Sequence, residues 1–103
     1  MASRPGAGQT RRQELIALLE RCEWSFEDLR RELQAPVREF EDDLRHVERS
    51  LRRGERRLVT TPPRCSACGF AFRGRAPGRF ATPGHCPRCK SRRIQAARLR
   101  VEG

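Results

Sequence analysis

The stretch Cys65-Ser66-Ala67-Cys68, followed after 17 residues by Cys86-Pro87-Arg88-Cys89, decides how the second half of this chain folds. The spacing C-x2-C-x17-C-x2-C is typical of sites in which four thiolates hold one metal ion. Each pair forms a tight loop, and two facing loops complete a tetrahedron of soft ligands, which suits Zn²⁺. We therefore predict one structural zinc ion, held by Cys65, Cys68, Cys86 and Cys89.

Other uses of the cysteines fit this spacing less well. A four-cysteine iron site has the same ligands, so the sequence leaves iron open as the metal. Two redox-active dithiols would also show C-x-x-C, but the βαβ context of such motifs is missing. We expect His85, next to Cys86, to lie at the surface or to contact a metal ligand without binding the metal itself. We expect Cys22, on the apolar face of the first helix, to fill the core.

The composition also favours a metal as a source of stability. Of the 103 residues, 36% are hydrophobic and 35% are charged, so the apolar core is thin. Nearly all the large apolar residues after residue 61 are Phe70, Phe72, Phe80, Ile94, Leu99 and Val101. Phe70 with Phe72, and Leu99 with Val101, alternate as on strands. Because these side chains make a small core, we expect this segment to be unfolded without metal.

The first part of the chain has the pattern of three helices followed by a strand. Thr10 and Ser25 each fit an N-cap with a polar partner three residues later. Pro36 suits the first position of the third helix. In that helix the apolar residues recur every three or four positions: Val37, Phe40, Leu44, Val47 and Leu51. Gly54 then ends the helix, and residues 58–61 have strand character.

We therefore predict an α+β chain in three segments. Residues 1–9 form a disordered tail, residues 10–61 a three-helix winged helix-turn-helix, and residues 62–103 a small four-cysteine zinc β-ribbon. The border lies at Thr61-Pro62-Pro63-Arg64, because consecutive prolines disfavour a helix and continue no central strand. A generic three-helix bundle is the alternative for the first folded segment.

Positive charge is concentrated in the last segment. The whole chain has a formal net charge of +10. Residues 1–60 hold 13 Arg against 12 acids, whereas residues 61–103 hold 9 Arg and Lys90 against Glu102 alone. A bound zinc with four thiolates would add only a charge of about −2. An excess of this size favours a polyanionic partner, either nucleic acid or an anionic membrane surface.

The sequence argues against the membrane. Its longest apolar run, Leu15-Ile16-Ala17-Leu18-Leu19, is too short to span a bilayer, and the N-terminus has no signal-peptide core. We therefore expect a cytoplasmic protein with reduced cysteines and with double-stranded DNA as its partner. No set of residues supports hydrolysis or group transfer, so we expect no enzymatic activity.

Ten arginines are the candidate nucleic-acid contacts: Arg38, Arg45, Arg52, Arg53, Arg56, Arg57, Arg73, Arg75, Arg92 and Arg93. Four acids near the start of the third helix oppose them, because phosphate repels carboxylates: Glu39, Glu41, Asp42 and Asp43. We attribute these acids to the helix dipole and to the pairs Glu41–Arg45 and Glu48–Arg52 on a solvated face.

With both segments described, the chain resembles a small family of prokaryotic proteins described as predicted transcriptional regulators. These proteins have an N-terminal winged helix and a C-terminal rubredoxin-like zinc ribbon. The resemblance rests on residues 37–51, on Arg64-Cys65-Ser-Ala-Cys68-Gly69-Phe70-Ala-Phe72 and on Pro83-Gly-His-Cys86-Pro-Arg-Cys89-Lys90-Ser91 with Ile94. It implies that Cys65, Cys68, Cys86 and Cys89 bind one zinc ion and that the helical part binds DNA.

The expected function is therefore that of a DNA-binding transcriptional regulator. It would bind mainly by neutralising phosphates with the cationic wing and the zinc ribbon, while Arg38 and Arg45 are the candidate base readers. The alternative is an adaptor, in which the acidic helix face binds a basic protein. Its ribbon would dock on RNA or on a transcription or translation assembly.

Overall fold

The computed structural model describes residues 7–73 and 79–103. The order of elements is α1 (Ala7–Arg21), β1 (Trp24–Ser25), α2 (Phe26–Glu32), α3 (Val37–Arg53), β2 (Arg57–Thr61), β3 (Arg64–Cys65), β4 (Ile94–Gln95) and β5 (Arg98–Glu102). The predicted mixed α+β class with three helices is confirmed. None of the helices in the described ranges has the length and apolar character needed to cross a bilayer.

The helix ends follow local signals with small corrections. The hydroxyl oxygen of Ser25 accepts a hydrogen bond from the N–H of Asp28 at 3.1 Å and so caps α2, as predicted. Pro36 is extended and is the N-cap of α3 rather than its first residue. Gly54 ends α3, but the left-handed conformation falls on the next residue, Glu55, with a φ of 61°.

Helix α1 differs from its prediction at both ends. It begins at Ala7, so residues 7–9 of the predicted disordered tail are helical, while residues 1–6 lie outside the described residues. It ends at Arg21, and Cys22 is exposed just beyond it. The prediction that Cys22 fills the core is therefore wrong, because the helix stops before that position can turn inward.

One apolar core lies between the three helices and the larger sheet. Its buried residues on the helices are Leu15, Leu19, Phe26, Leu29, Phe40, Leu44, Val47 and Leu51. The rings of Phe26 and Phe40 meet edge to face with centroids 5.1 Å apart. The apolar face predicted for the third helix is thus confirmed, except that Val37 is exposed.

The larger sheet is antiparallel and has the strand order β1–β5–β2. Its central strand, β5, comes from the C-terminal end of the chain and buries Leu99 in the core of the helices. The predicted ribbon over residues 62–103 therefore needs a correction, because its last strand pairs with β1 and β2. We call residues 7–61 together with β5 the helical unit, and residues 62–97 the ribbon.

The ribbon has little regular structure. Strands β3 and β4 form a two-stranded antiparallel sheet in which Cys65 lies opposite Ile94. Phe70 and Phe72 lie in no strand, contrary to the prediction, and their rings instead pack edge to face with centroids 5.1 Å apart. Phe80 is buried in the core of the helices. The apolar residues predicted to form one ribbon core are therefore divided between the two regions.

Candidate metal centre and cationic surfaces

The two C-x-x-C loops are closed by the same hydrogen bonds. The N–H of Gly69 donates to the carbonyl of Cys65 at 2.9 Å, and the N–H of Lys90 donates to the carbonyl of Cys86 at 2.9 Å. In each loop the N–H of the first cysteine also donates, at 2.8 Å, to the carbonyl five residues further on. These bonds fold each loop tightly enough to bring its two sulfur atoms to one side.

The residue after each second cysteine has a left-handed backbone. Gly69 has a φ of 81° and Lys90 a φ of 66°. Glycine adopts this conformation freely, whereas a side chain such as that of lysine is strained there. The loop geometry thus imposes the same conformation on Lys90 as on Gly69, despite its cost.

The four sulfur atoms form a compact cluster. Cys65 Sγ and Cys89 Sγ are 3.5 Å apart, and Cys68 Sγ and Cys86 Sγ are 3.6 Å apart. All four lie within 4.8 Å of one another. Tetrahedral zinc with Zn–S bonds of about 2.3 Å places neighbouring sulfurs about 3.8 Å apart, whereas a disulfide needs about 2.05 Å. The cluster therefore fits one tetrahedral metal ion and contains free thiols rather than disulfides.

The thiol pKa values show how closely these groups interact. Burial opposes ionisation of Cys65, but N–H donors within its loop and the neighbouring thiols outweigh it and lower the pKa to about 7. The same balance lowers the pKa of Cys86. The N–H of Ser91 lowers the pKa of Cys89. Burial and the other three sulfurs act in the opposite direction and outweigh this effect, so the pKa is raised to about 12. Because four adjacent thiolates repel one another, their full ionisation requires a cation between them.

The remaining candidate ligands lie outside this cluster. His85 is exposed and is not among the four clustered residues, which agrees with its expected position at the surface. Cys22 is also exposed and belongs to the helical unit. The four sulfurs therefore complete a tetrahedral ligand set without an open position, as in structural rather than catalytic metal sites.

Two carboxylates of the helical unit bind the ribbon. On α3, Oε2 of Glu41 accepts hydrogen bonds from the N–H groups of Phe80, at 2.8 Å, and Ala81, at 2.9 Å. On α2, Oε2 of Glu27 accepts a hydrogen bond from the hydroxyl of Thr82 at 2.7 Å. The segment 80–82, between the two cysteine pairs, is thus fixed against the first turns of α2 and α3.

This contact corrects the interpretation of the acids at the start of α3. The predicted Glu41–Arg45 pair does not form, because Glu41 binds the ribbon and Arg45 lies 3.4 Å from Asp42 instead. The predicted Glu48–Arg52 pair is present at 3.9 Å. Only two of the four acids expected to repel phosphate, Glu39 and Asp42, are therefore exposed.

The fourth acid, Asp43, is buried in an ion cluster with helix α1. Its side chain is only 2% exposed, and its two oxygens accept hydrogen bonds from Nε of Arg11 and, at 3.0 Å, from Nε of Arg12. The expectation of a solvated acidic face is therefore wrong at Asp43. The helical pattern places Asp43 on the polar side of α3, but this pattern does not show that two arginines of α1 cover its side chain.

The ten predicted nucleic-acid contacts divide into two groups. Four of them pair with acids: Arg45 with Asp42, Arg52 with Glu48, Arg56 with Glu20, and Arg57 with Glu102. Five are exposed and have no ion pair with any described residue: Arg38, Arg53, Arg73, Arg92 and Arg93. Arg75 lies outside the described residues.

The exposed cations that were not among the predicted contacts include Arg49, Arg88 and Lys90. Arg49 lies on α3 four residues after Arg45, a spacing that places both on neighbouring parts of the exposed face. Arg88 and Lys90 flank Cys89 in the second loop. Their position beside a predicted ligand was the signal that could have identified them.

The structure can now be compared with known proteins. Residues 10–59 match the family model described as PF0610-like, N-terminal. The chain is also similar to the solution NMR structure of protein PF0610 from Pyrococcus furiosus, with a TM-score of 0.74 and 28% sequence identity. That alignment covers 100% of this chain and 96% of the other. A search of curated proteins finds no match.

The similarity to PF0610 extends over the helical unit and the ribbon together, so the two regions occur as one arrangement in an experimental structure as well. In the present chain this arrangement exposes two cationic surfaces. The first, which we call the α3 stripe, consists of Arg38, Arg45 and Arg52, spaced seven residues apart on one helix face. The second, the loop patch, consists of Arg88, Lys90, Arg92 and Arg93 beside the sulfur cluster.

Proposed function

We propose that this protein binds double-stranded DNA as a transcriptional regulator, and that a structural zinc ion on its four cysteines holds the ribbon in shape. The observation that carries the proposal is the α3 stripe. Because Asp43 is buried and Glu41 is bound to the ribbon, fewer acids of α3 oppose its arginines than the sequence alone indicates. Arg38 has no ion pair with any described residue, while Arg45 and Arg52 lie beside Asp42 and Glu48 in surface pairs that phosphate could displace.

The turn between α2 and α3 supports a helix-turn-helix. It is short, since α2 ends at Glu32 and α3 begins at Val37. Gln34 has a left-handed φ of 51°, and the N–H of Ala35 donates to the carbonyl of Arg30 at 3.1 Å. A turn of this length makes the second helix cross the first steeply, so that it can project into a major groove.

The antiparallel strands support a wing. Strand β2 follows α3 directly, as in winged helices, and β5 returns to pair with it. Arg56 lies between α3 and β2, and Arg57 is the first residue of β2, where a wing would meet the DNA backbone. In the proposed complex Arg38 and Arg45 contact bases, while Arg52, Arg56 and Arg57 neutralise phosphates.

The ribbon would add a rigid cationic surface. Residues 62–97 include no acid, so the loop patch has no neighbouring carboxylate in its own segment to neutralise it. Zinc suits the site, because four thiolates are the soft ligands that it prefers and they leave no open position for catalysis. We therefore infer no enzymatic activity, and we expect the protein to act in the reducing cytoplasm, where thiolates persist.

The test is a salt-titrated binding assay of the metal-replete protein on random duplex DNA, duplex RNA and single strands. We expect duplex DNA to bind best, with an affinity that falls by about tenfold or more between 50 and 200 mM salt. Replacing Arg38 and Arg52 together by Gln should weaken binding, and the loss of the Arg52 phosphate contact should lower the salt slope by about one. Affinity that is independent of salt would contradict the proposal.

A matched control removes charge elsewhere. Arg31 on α2 is exposed and lies 3.7 Å from Asp28 in a surface pair, so Arg31→Gln changes the net charge without touching α3. We expect this variant to bind DNA with nearly the affinity of the wild type. If the control weakens binding per charge as much as the α3 variant does, the α3 stripe is not the interface.

The exposed acids Glu39 and Asp42 support a second candidate function, an adaptor that binds a basic protein partner. Their side chains are 61% and 52% exposed at the start of α3. Capture of partners from a lysate, with and without nuclease, separates the two functions. Loss of all partners after nuclease supports nucleic-acid binding, whereas a retained protein whose capture requires Glu39 and Asp42 supports the adaptor.

A further inference from the structure

A cleft of about 410 Å³ lies between α1 and α3, apart from both the sulfur cluster and the α3 stripe. Its lining includes Arg12 and Ile16 from α1, and Val47, Arg49, Ser50 and Arg53 from α3. Among the described residues no carboxylate lines the cleft, so its charge is positive. A volume of this size is within the range of sites for small molecules, about 300–1,000 Å³.

The two arginines on α3 are free to bind a ligand. Arg49 and Arg53 lie one helical turn apart, and neither has an ion pair or a side-chain hydrogen bond within the described ranges. Most other arginines of the helical unit pair with an acid. Two adjacent guanidinium groups without a counter-ion repel each other, and a bound anion would relieve this repulsion.

Arg12 adds a third guanidinium group from the opposite wall. Its Nε donates to buried Asp43 at 3.0 Å, and this bond fixes the position of the side chain before any ligand arrives. A preorganised donor of this kind loses little conformational entropy on binding. Arg12 therefore provides a guanidinium group in a fixed position on one wall of the cleft. Arg49 and Arg53 supply the positive charge that a bound anion would neutralise.

The base of the cleft is apolar. Ile16 is half-buried and supplies the accessible apolar surface at this base, while Val47, which is 1% exposed, closes the base from below. Ser50, which lies between Arg49 and Arg53 in the sequence, adds a hydroxyl group to the lining. A bare inorganic ion would leave this apolar surface in water, whereas a ligand with an apolar body would cover it.

We propose that this cleft binds a small phosphomonoester that carries an apolar or aromatic group. The dianionic phosphate matches two guanidinium groups, which bind phosphate oxygens in bidentate fashion, whereas a single carboxylate would neutralise only one of them. The apolar group rests on Ile16. This inference does not depend on DNA binding, because it uses Arg49 and Arg53 rather than the arginines of the α3 stripe.

The test is an NMR titration of the full, metal-replete chain with three probes: phenyl phosphate, inorganic phosphate and phenol. We expect phenyl phosphate to give saturable shifts confined to amides near residues 12–16 and 46–53. Inorganic phosphate should bind at least about threefold more weakly, because it covers no apolar surface. Phenol should cause no saturable shift, because it carries no charge for the arginines.

Two double variants provide the matched comparison. Arg49→Gln with Arg53→Gln should weaken phenyl phosphate binding by about tenfold or more, since two charge-assisted hydrogen-bonding groups are lost. Arg38→Gln with Arg52→Gln removes the same charge from the same helix and should change it by less than about twofold. The single variants Arg49→Gln and Arg53→Gln give the same comparison if the first double variant is poorly folded.

Three outcomes would overturn the inference. Shifts spread over the loop patch would indicate general attraction of anions, and equal binding of phosphate and phenyl phosphate would exclude a role for the apolar base. Loss of DNA affinity in the Arg49/Arg53 variant, without any phenyl phosphate binding, would assign the cleft to a DNA phosphate. The Arg38/Arg52 variant tests DNA binding separately, so failure of either proposal is recognised on its own.

Discussion

The helical unit and the ribbon differ in what holds them together. In the helical unit, apolar side chains from three helices and β5 meet in one buried core, and several ion pairs join different elements. In the ribbon, the two loops depend on main-chain hydrogen bonds and on four sulfurs, and no acid offsets the arginines. A segment with so much like charge and so little apolar area cannot fold by hydrophobic burial alone.

The two regions are nevertheless joined at several places. Phe80 is buried in the core of the helical unit, the segment 80–82 is held by Glu41 and Glu27, and β5 follows the ribbon into the larger sheet. The ribbon is thus anchored in its middle and at both ends. The metal therefore has to stabilise only the two cysteine loops, and not the whole second half of the chain.

Removal of the metal should have the largest effect and should separate the two regions. We expect a strong chelator, or Cys65→Ser, to abolish the order of residues 64–73 and 84–95, because structural zinc contributes about 10–16 kcal/mol in small zinc domains. The helices and β5 should remain folded. Amide hydrogen exchange measured along the chain would show protection lost in the loops and retained in α1, α3 and β5.

The control for this experiment is Cys22→Ser, which changes an exposed thiol outside the cluster. It should leave metal content and amide protection unchanged. Cooperative unfolding of the whole chain on chelation would show that the core of the helical unit cannot persist without the ribbon. Loop protection that survives chelation would remove the basis for a structural metal altogether.

The second prediction concerns the buried ion cluster of the helical unit. Asp43→Ala leaves Arg11 and Arg12 without the carboxylate that both contact, so we expect the free energy of unfolding to fall by about 3 kcal/mol. Urea denaturation of the metal-replete protein would measure this loss. Zinc affinity should not change, because the ion pairs of Asp43 are with Arg11 and Arg12 and none joins it to the described part of the ribbon.

The matched control is Glu39→Ala. Glu39 is exposed, and its ion pair with Arg11 is long, at 3.8 Å. Removal of this carboxylate should therefore lower the free energy of unfolding by less than about 0.5 kcal/mol. Equal losses for Asp43→Ala and Glu39→Ala would mean that the buried cluster has no special weight in the stability of the helical unit.

The third prediction compares the two cysteine loops with each other. Lys90→Gly should stabilise the metal-bound ribbon by about 1 kcal/mol, because glycine adopts the left-handed φ without strain. Gly69→Ala should destabilise it by a similar amount for the same reason. A Cβ at Gly69 would meet its nearest neighbour, a guanidinium nitrogen of Arg64, at 3.8 Å, so the effect comes from the backbone and not from a clash.

Competition with a chelator of known affinity would measure both variants on one scale. Opposite changes of similar size are the expected result. If Lys90→Gly weakens metal binding, the lysine side chain supports the second loop by more than its strained backbone costs.

Local patterns in the sequence predicted much of this structure. The C-x-x-C spacing identified the four sulfurs that cluster, because a tight loop depends only on neighbouring residues. The apolar spacing of Phe40, Leu44, Val47 and Leu51 identified the buried face of α3 for the same reason. Ser25 likewise marked the start of α2 through a bond to Asp28, three residues away.

Interactions between distant residues were not predictable in this way. Asp43 and Arg12 are 31 residues apart, and Glu41 binds an N–H group 39 residues further on. The pairing of β5 with β2 joins two strands on either side of the whole ribbon. Each of these contacts depends on how whole helices and strands pack together, and the spacing of neighbouring residues does not predict that packing. Consequently the cysteine cluster was predicted, whereas the burial of Asp43 and the binding of Glu41 to the ribbon were not.

The smallest expected effect concerns the strand by which the chain returns to the helical unit. Glu102 on β5 accepts hydrogen bonds from Arg57 on β2 and from Arg100, each at 2.7 Å. These two arginines lower the pKa of Glu102 below the ordinary value of 4.5. The native carboxylate therefore binds a proton less readily than the unfolded one, so Glu102 stabilises the fold above pH 4.5, and this contribution is lost as the pH falls through its lowered pKa.

Glu102→Gln should accordingly lower the Tm slightly at neutral pH, and this difference from the wild type should disappear under acid conditions below the lowered pKa. Thermal unfolding followed by circular dichroism over a pH series measures it, with Glu32→Gln as an exposed control that has no ion pair among the described residues. A Tm difference that persists in acid would mean that Glu102 acts through packing in the sheet rather than through its charge. In that case the charges across β2 and β5 would contribute nothing to closing the sheet, and burial of Leu99 alone would hold the returning strand in place.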